Sequence, residues 1–122
     1  MQTLINQVSN QTLNVKSYNY RPNKDLQLIK LRLALVDYFG LSIEQLESKS
    51  RLQRIVNIRA VFSFFCYENM VDYQDSKVAK WINRDRTSVM HLVNKMKDAK
   101  TYNPELWQMY KDFCLFLEVN NY

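Results

Sequence analysis

The sequence predicts an all-α fold, and three observations carry that prediction. Its 122 residues include one glycine and two prolines, far fewer turn residues than a β-rich domain of this size needs. Hydrophobic residues make up 47% of the chain, enough to bury one core. The apolar residues recur at intervals of three and four, the period of a helix.

Taken in order, residues 1–24 are rich in Asn and Gln and carry only short apolar runs, so they read as a flexible arm before one helical domain, 25–122. The first helix spans Asp25–Phe39, where Leu26, Ile29, Leu33 and Val36 keep a helical period, backed by Leu28, Leu31 and Leu35. Gly40 follows as the left-handed residue that ends it. Ser42 with Gln45 three positions on forms a capping box and opens a short helix to about Glu47. A long helix from about Arg51 to Asn69 contains Ile55, Ile58, Val61, Phe62, Phe65 and Cys66, and reads as central and mostly buried.

Val71–Tyr73 make a turn, and a short helix runs from about Gln74 to Ile82. Asn83 and Arg84 break it, and Asp85 is the N-cap of a helix from Arg86 to about Ala99, with Val89, Leu92, Val93 and Met96 inward. Asn103 and Pro104 supply N-cap and N1 of a final helix to about Val119, with Leu106, Tyr110, Phe113 and Leu117 on one face.

The net charge is +5, unevenly placed. Residues 49–100 hold 11 Lys/Arg against 5 Asp/Glu, residues 1–48 hold 5 against 4, and residues 101–122 hold 1 against 3. A basic central segment favours a polyanionic partner. Cys66 and Cys114 each sit in an aromatic run and read as buried free thiols; no metal-ligand spacing is present. No apolar run is long enough for a bilayer and no signal peptide is recognisable, so the expected location is the cytoplasm.

The basic segment holds a short helix, a tight turn and a second helix whose apolar stripe faces back, at about 74–99. This is helix-turn-helix geometry, or an ordinary helical hairpin. The second helix opens with Arg84, Asp85, Arg86, Thr87 and Ser88 in succession. At a recognition-helix N-terminus each has a role: Arg84 and Ser88 on phosphate, Asp85 as cap or acceptor from cytosine, Arg86 bidentate to guanine, Thr87 at a base edge. The bland alternative is a capped, solvated helix start.

YFGLSIEQLESKSRLQRIVNIRAVFSFF, followed by VAKWINRDRTSVMHLVNKM, resembles the C-terminal DNA-binding domain (domain IV) of the bacterial replication initiator DnaA from Tyr38 to about Asp98. RDxTxVxH is the specific part. The resemblance implies a Trp-repressor-like helix-turn-helix behind a connector helix, here 25–39, and double-stranded DNA as partner. It implies minor-groove insertion for Arg51, a backbone position for Lys49, and DNA contact for Arg59 on the central helix. Arg84 would meet phosphate, Asp85, Arg86 and Thr87 would read bases, and Ser88 and Lys95 would meet the backbone. This chain departs from the family in three ways. A single Asn83 replaces paired glycines, Arg86 replaces a histidine and favours guanine, and one glycine cannot form a GxxxxGK[ST] loop, so no nucleotide is expected.

No catalytic constellation supports an enzyme, and neither a cofactor nor a metal is expected. Glu44 and Glu47 read as solvated, and Tyr67, Tyr73 and Trp81 as core rather than base-stacking. The expected role is a stand-alone regulator of replication initiation or transcription. The rival is a protein-interaction module in which the 104–119 helix pairs with another copy or a partner rather than folding back.

Overall fold

A computed structural model describes residues 24–122, with side chains from Leu28 onward. Among these residues the elements are α1 (Lys24–Phe39), α2 (Ile43–Glu47), α3 (Gln53–Asn69), α4 (Asp75–Trp81), α5 (Arg86–Tyr102) and α6 (Pro104–Val119), with no strand. The all-α prediction holds. Apart from Lys24, which opens α1, the expected N-terminal arm lies outside the described residues.

α3 is the hub. α1, α2, α5 and α6 all pack on it, and Ile55, Ile58, Val61, Phe62, Phe65 and Cys66 are buried with Ala60, Ser63 and Phe64. Burial on nearly every side explains why its apolar residues do not form one stripe. The helix begins at Gln53 rather than near Arg51. Two serines turn the chain first: Ser48 Oγ accepts from Ser50 N–H at 3.2 Å and Ser50 Oγ accepts from Leu52 N–H at 3.2 Å, the competition with helix that serine chemistry favours.

Of the two helically spaced apolar sets of α1, one faces the core. Leu28, Leu31, Ala34 and Leu35 face inward, whereas Ile29 is 46% and Leu33 51% exposed. Val36 is half-buried, and Leu26 lies before the first described side chain. The helix carries apolar residues on two opposite faces, and the inward one is chosen by α3 and α6, against which it packs.

The terminators behave as their chemistry requires. Gly40 sits at φ +70, and Leu41 N–H reaches back to Val36 O at 3.0 Å, closing α1 in a left-handed cap. Ser42 and Gln45 form the reciprocal capping box. Asn103 Oδ1 accepts from Leu106 N–H at 3.2 Å and Pro104 starts α6.

α6 folds back on α1, α3 and α5, burying Leu106, Tyr110, Phe113, Cys114 and Leu117. Phe113 meets Phe39 at 5.8 Å and Phe65 at 6.2 Å between ring centroids. The main apolar face of the 104–119 helix is therefore occupied inside the fold, leaving Leu115 and Val119 as its exposed large apolar residues. Cys66 and Cys114 are buried and unbridged. Burial pushes the Cys114 thiol up to about 12 and raises the Cys66 thiol as well. No helix among the described residues is long and apolar enough to cross a membrane.

Candidate nucleic-acid interface

Three pieces of chain converge here: the Ser48–Leu52 loop, the α4–α5 turn and the start of α5. The turn is tight because Asn83 takes φ +53, a conformation asparagine tolerates better than other non-glycine residues. Arg84 N–H then returns to Ala79 O at 2.9 Å, while Ile82 is wholly buried beneath. Asn83 Nδ2 donates to Glu47 O at 3.0 Å, tying the turn to the end of α2. Asp85 caps α5, its Oδ1 accepting from Ser88 N–H at 2.8 Å. The hydrogen bond from Ser88 N–H is the main cause holding the Asp85 carboxyl below its ordinary range; the Ser88 hydroxyl, His91 and Arg84 act in the same direction.

The loop before α3 is held by arginine. Arg59 Nε donates to Leu46 O at 2.8 Å, Nη1 to Ser50 O at 2.8 Å, and Nη2 to Ser48 O at 2.7 Å and more loosely to Gln45 O at 3.4 Å. Arg84 Nη2 reaches the same Ser48 carbonyl at 2.6 Å, and its Nη1 reaches Asn83 O at 2.9 Å. The guanidinium fork suits this task because its donors are fixed in one plane. Burial, and then the neighbouring Arg84 charge, pull the Arg59 pKa below the usual arginine value.

Beside this loop runs a groove lined by Lys49, Ser50, Arg51, Val56, Arg59, Arg84, Ser88, His91, Leu92 and Lys95. Its lining holds five cationic side chains and no carboxylate, the arrangement that attracts a polyanion. The structure thus brings together six of the nine residues expected at the site: Lys49, Arg51, Arg59, Arg84, Ser88 and Lys95. Asp85, Arg86 and Thr87 stand outside the groove, exposed at the tip of α5.

Arg59 is 2% exposed, and its guanidinium is engaged with four backbone carbonyls of the segment that leads to Lys49 and Arg51. His91 was not among the expected residues, yet it lines the groove. The spacing Ser88, His91, Lys95 is one stripe of a helix and is readable from sequence once Ser88 is placed.

Two other expectations change. Glu47 is not merely solvated: Arg32 Nη1 reaches its Oε2 at 2.6 Å, donates to Trp81 O at 3.1 Å, and places its guanidinium carbon 4.7 Å from the Trp81 ring centre. This anchors α1 to the end of α4. Tyr67 is 38% exposed and sits under Lys97 Nζ at 4.5 Å. No group of three or more His, Cys, Asp or Glu side chains is placed to hold a metal among the described residues.

A short helix, a left-handed turn and a capped second helix whose inner stripe packs back on the core define a helix-turn-helix domain. Residues 31–96 match the model of the bacterial DnaA protein helix-turn-helix family. That match covers more than half of the chain, which belongs to this family of DNA-binding domains.

Proposed function

We propose that the protein binds double-stranded DNA sequence-specifically and regulates replication initiation or transcription by occupying its sites. The observation that carries this reading is the groove of five cations without a carboxylate, continuous along α5 with the exposed tip Asp85–Thr87. The tip enters the major groove, where Arg86 donates to guanine O6 and N7, Thr87 meets a base edge or a thymine methyl, and the free oxygen of Asp85 can accept from cytosine N4. Arg51 enters the adjacent minor groove. Lys49, Arg84, Ser88 and Lys95 meet phosphates; Arg84 has guanidinium N–H groups beyond the two held by carbonyls. Arg59 contributes by fixing the loop that carries Lys49 and Arg51.

The test is selection of random duplexes by the purified protein, with affinity for the winners measured at two salt concentrations. The three cations on phosphate, Lys49, Arg84 and Lys95, give a log–log salt slope of roughly −3. Arg86→Ala relaxes preference at one position and costs about 1–3 kcal/mol, whereas Lys95→Ala weakens all sequences alike and flattens the slope by about one. Absence of enrichment, with weak binding confined to low salt, refutes sequence-specific recognition.

A further inference from the structure

The two sides of α5 are unlike. Val89, Val93, Met96 and Ala99 face inward and are buried. Thr87, Met90 and Asn94, spaced three and four, share the outer side, and all three are exposed. Met90 is 39% exposed and stands outside the core that the inward residues join. Apart from Tyr102 at the far end of the helix, it is the exposed large apolar residue of α5. The Asn94 amide is also uncommitted. Asn57, Asn69, Asn83, Asn103 and Asn120 each hold a hydrogen bond through the side chain, whereas Asn94 makes none among the described residues.

Charge sets how much of the helix can lie against a duplex. Between Asp85 and Asp98 the sequence has no carboxylate, so phosphates on either side of α5 meet no like charge before Asp98, which is exposed. Thr87, Met90 and Asn94 all precede it. At 1.5 Å per residue, Met90 lies about 4.5 Å and Asn94 about 10.5 Å along the axis from Thr87. A duplex rises about 3.4 Å per base pair, so Asn94 stands roughly three base pairs from Thr87.

We propose that base reading runs past the tip of α5 onto Met90 and Asn94: Met90 packs on the methyl group of a thymine, and the Asn94 amide bonds the N6 and N7 edge of an adenine. This deepens the DNA binding proposed above and rests on it. Methionine is flexible and polarisable and offers an apolar contact, which the thymine methyl answers in the major groove. Asparagine offers an acceptor and two donors, which match the adenine amino group and N7. Both side chains are neutral, so they add base preference without adding phosphate affinity.

The test is selection of random duplexes by the full chain, by Met90→Ala and by Asn94→Ala, followed by base analogues in the preferred duplex. The wild type is expected to enrich a thymine and an adenine beyond the position that Arg86→Ala relaxes. Uracil in place of that thymine removes only the methyl and weakens the wild type about fourfold, while Met90→Ala is indifferent to it. 7-Deazaadenine in place of that adenine removes N7 and weakens the wild type about fivefold, while Asn94→Ala is indifferent to it. Both variants keep the wild-type circular dichroism and salt slope, because both residues are exposed and uncharged. Variants that enrich the wild-type sequence overturn the proposal and leave the DNA-binding reading standing. So does a wild type indifferent to both analogues at every thymine and adenine of its site, a result that needs no variant to fold. A wild type that enriches no sequence refutes both readings.

Discussion

Replacing Arg59 separates a staple from a DNA contact. In Arg59→Met the apolar stem remains and four hydrogen bonds to Leu46, Ser50, Ser48 and Gln45 carbonyls are lost. Three of them are between 2.7 and 2.8 Å, and the fourth, at 3.4 Å, counts little. A hydrogen bond from a charged donor contributes roughly 1.5–3 kcal/mol when buried. The Ser48 and Ser50 carbonyls lie in a loop that water can reach once the arginine is gone, and the Leu46 carbonyl lies at the end of α2, so about 1 kcal/mol each is the better figure, or about 3 kcal/mol in total. In a domain near 100 residues that lowers Tm by more than about 10 °C. Arg59→Lys keeps the charge but not the fork, and recovers less than half of the loss. The assay is urea denaturation of wild type, Arg59→Met and Arg59→Lys, beside DNA affinity measured where each remains folded. Both variants lose stability, and affinity falls because Lys49 and Arg51 lose their placement. If Arg59→Lys is as stable as wild type yet loses most DNA affinity, the guanidinium acts on DNA directly and the staple reading is refuted.

Three further outcomes follow from the geometry. Gly40→Ala costs about 1–2 kcal/mol by urea denaturation, since the φ of +70 strains any L side chain although nothing lies within 4 Å of the new Cβ; Gly40→Asn costs less. Cys66 and Cys114, buried with raised thiol pKa values, stay unreactive toward a disulfide reagent at pH 8 until the protein unfolds; fast labelling of the native protein contradicts their placement. Asp85 has a depressed pKa in the folded protein, so the stability it contributes is fully present above the ordinary Asp value of about 3.9 and is lost as pH falls through the folded value. The stability difference between wild type and Asp85→Asn therefore shrinks as pH drops below about 4, and a constant difference contradicts the charged cap.

The parts legible in the sequence are those decided locally. Ser42 with Gln45, Gly40, Asp85 and Asn103–Pro104 each announce a terminus because cap chemistry acts over three or four residues. Asn83 marks the turn for a different reason: asparagine tolerates the φ of +53 found there. The inward face of α1 was not legible. Leu28, Leu31 and Leu35 and the set Ile29, Leu33, Val36 are both helically spaced, and only α3 and α6 choose between them. The bonds by which Arg59 holds the loop were not legible, because nothing near it in the chain points to their partners, which are carbonyls 9 to 14 residues away. The groove was half legible. Its α5 stripe follows from helical spacing, whereas Lys49 and Arg51 join it only because the two arginines hold the loop there.

The site's layout also divides its work. Within the groove, Arg59 and Arg84 are engaged with the protein's own carbonyls, so the positive potential is prearranged and costs little ordering entropy when a polyanion arrives. Groups of that kind set affinity and salt dependence without distinguishing bases. At the tip, Asp85 has already committed one oxygen to Ser88, while Arg86 is exposed with no ion-pair partner among the described residues. An unengaged guanidinium on a helix whose start is fixed by its neighbour's cap is the group best placed to choose a base. Substitution at position 86 should therefore change which sequence is preferred while leaving the salt slope in place, and substitution of Lys49 or Lys95 should do the reverse.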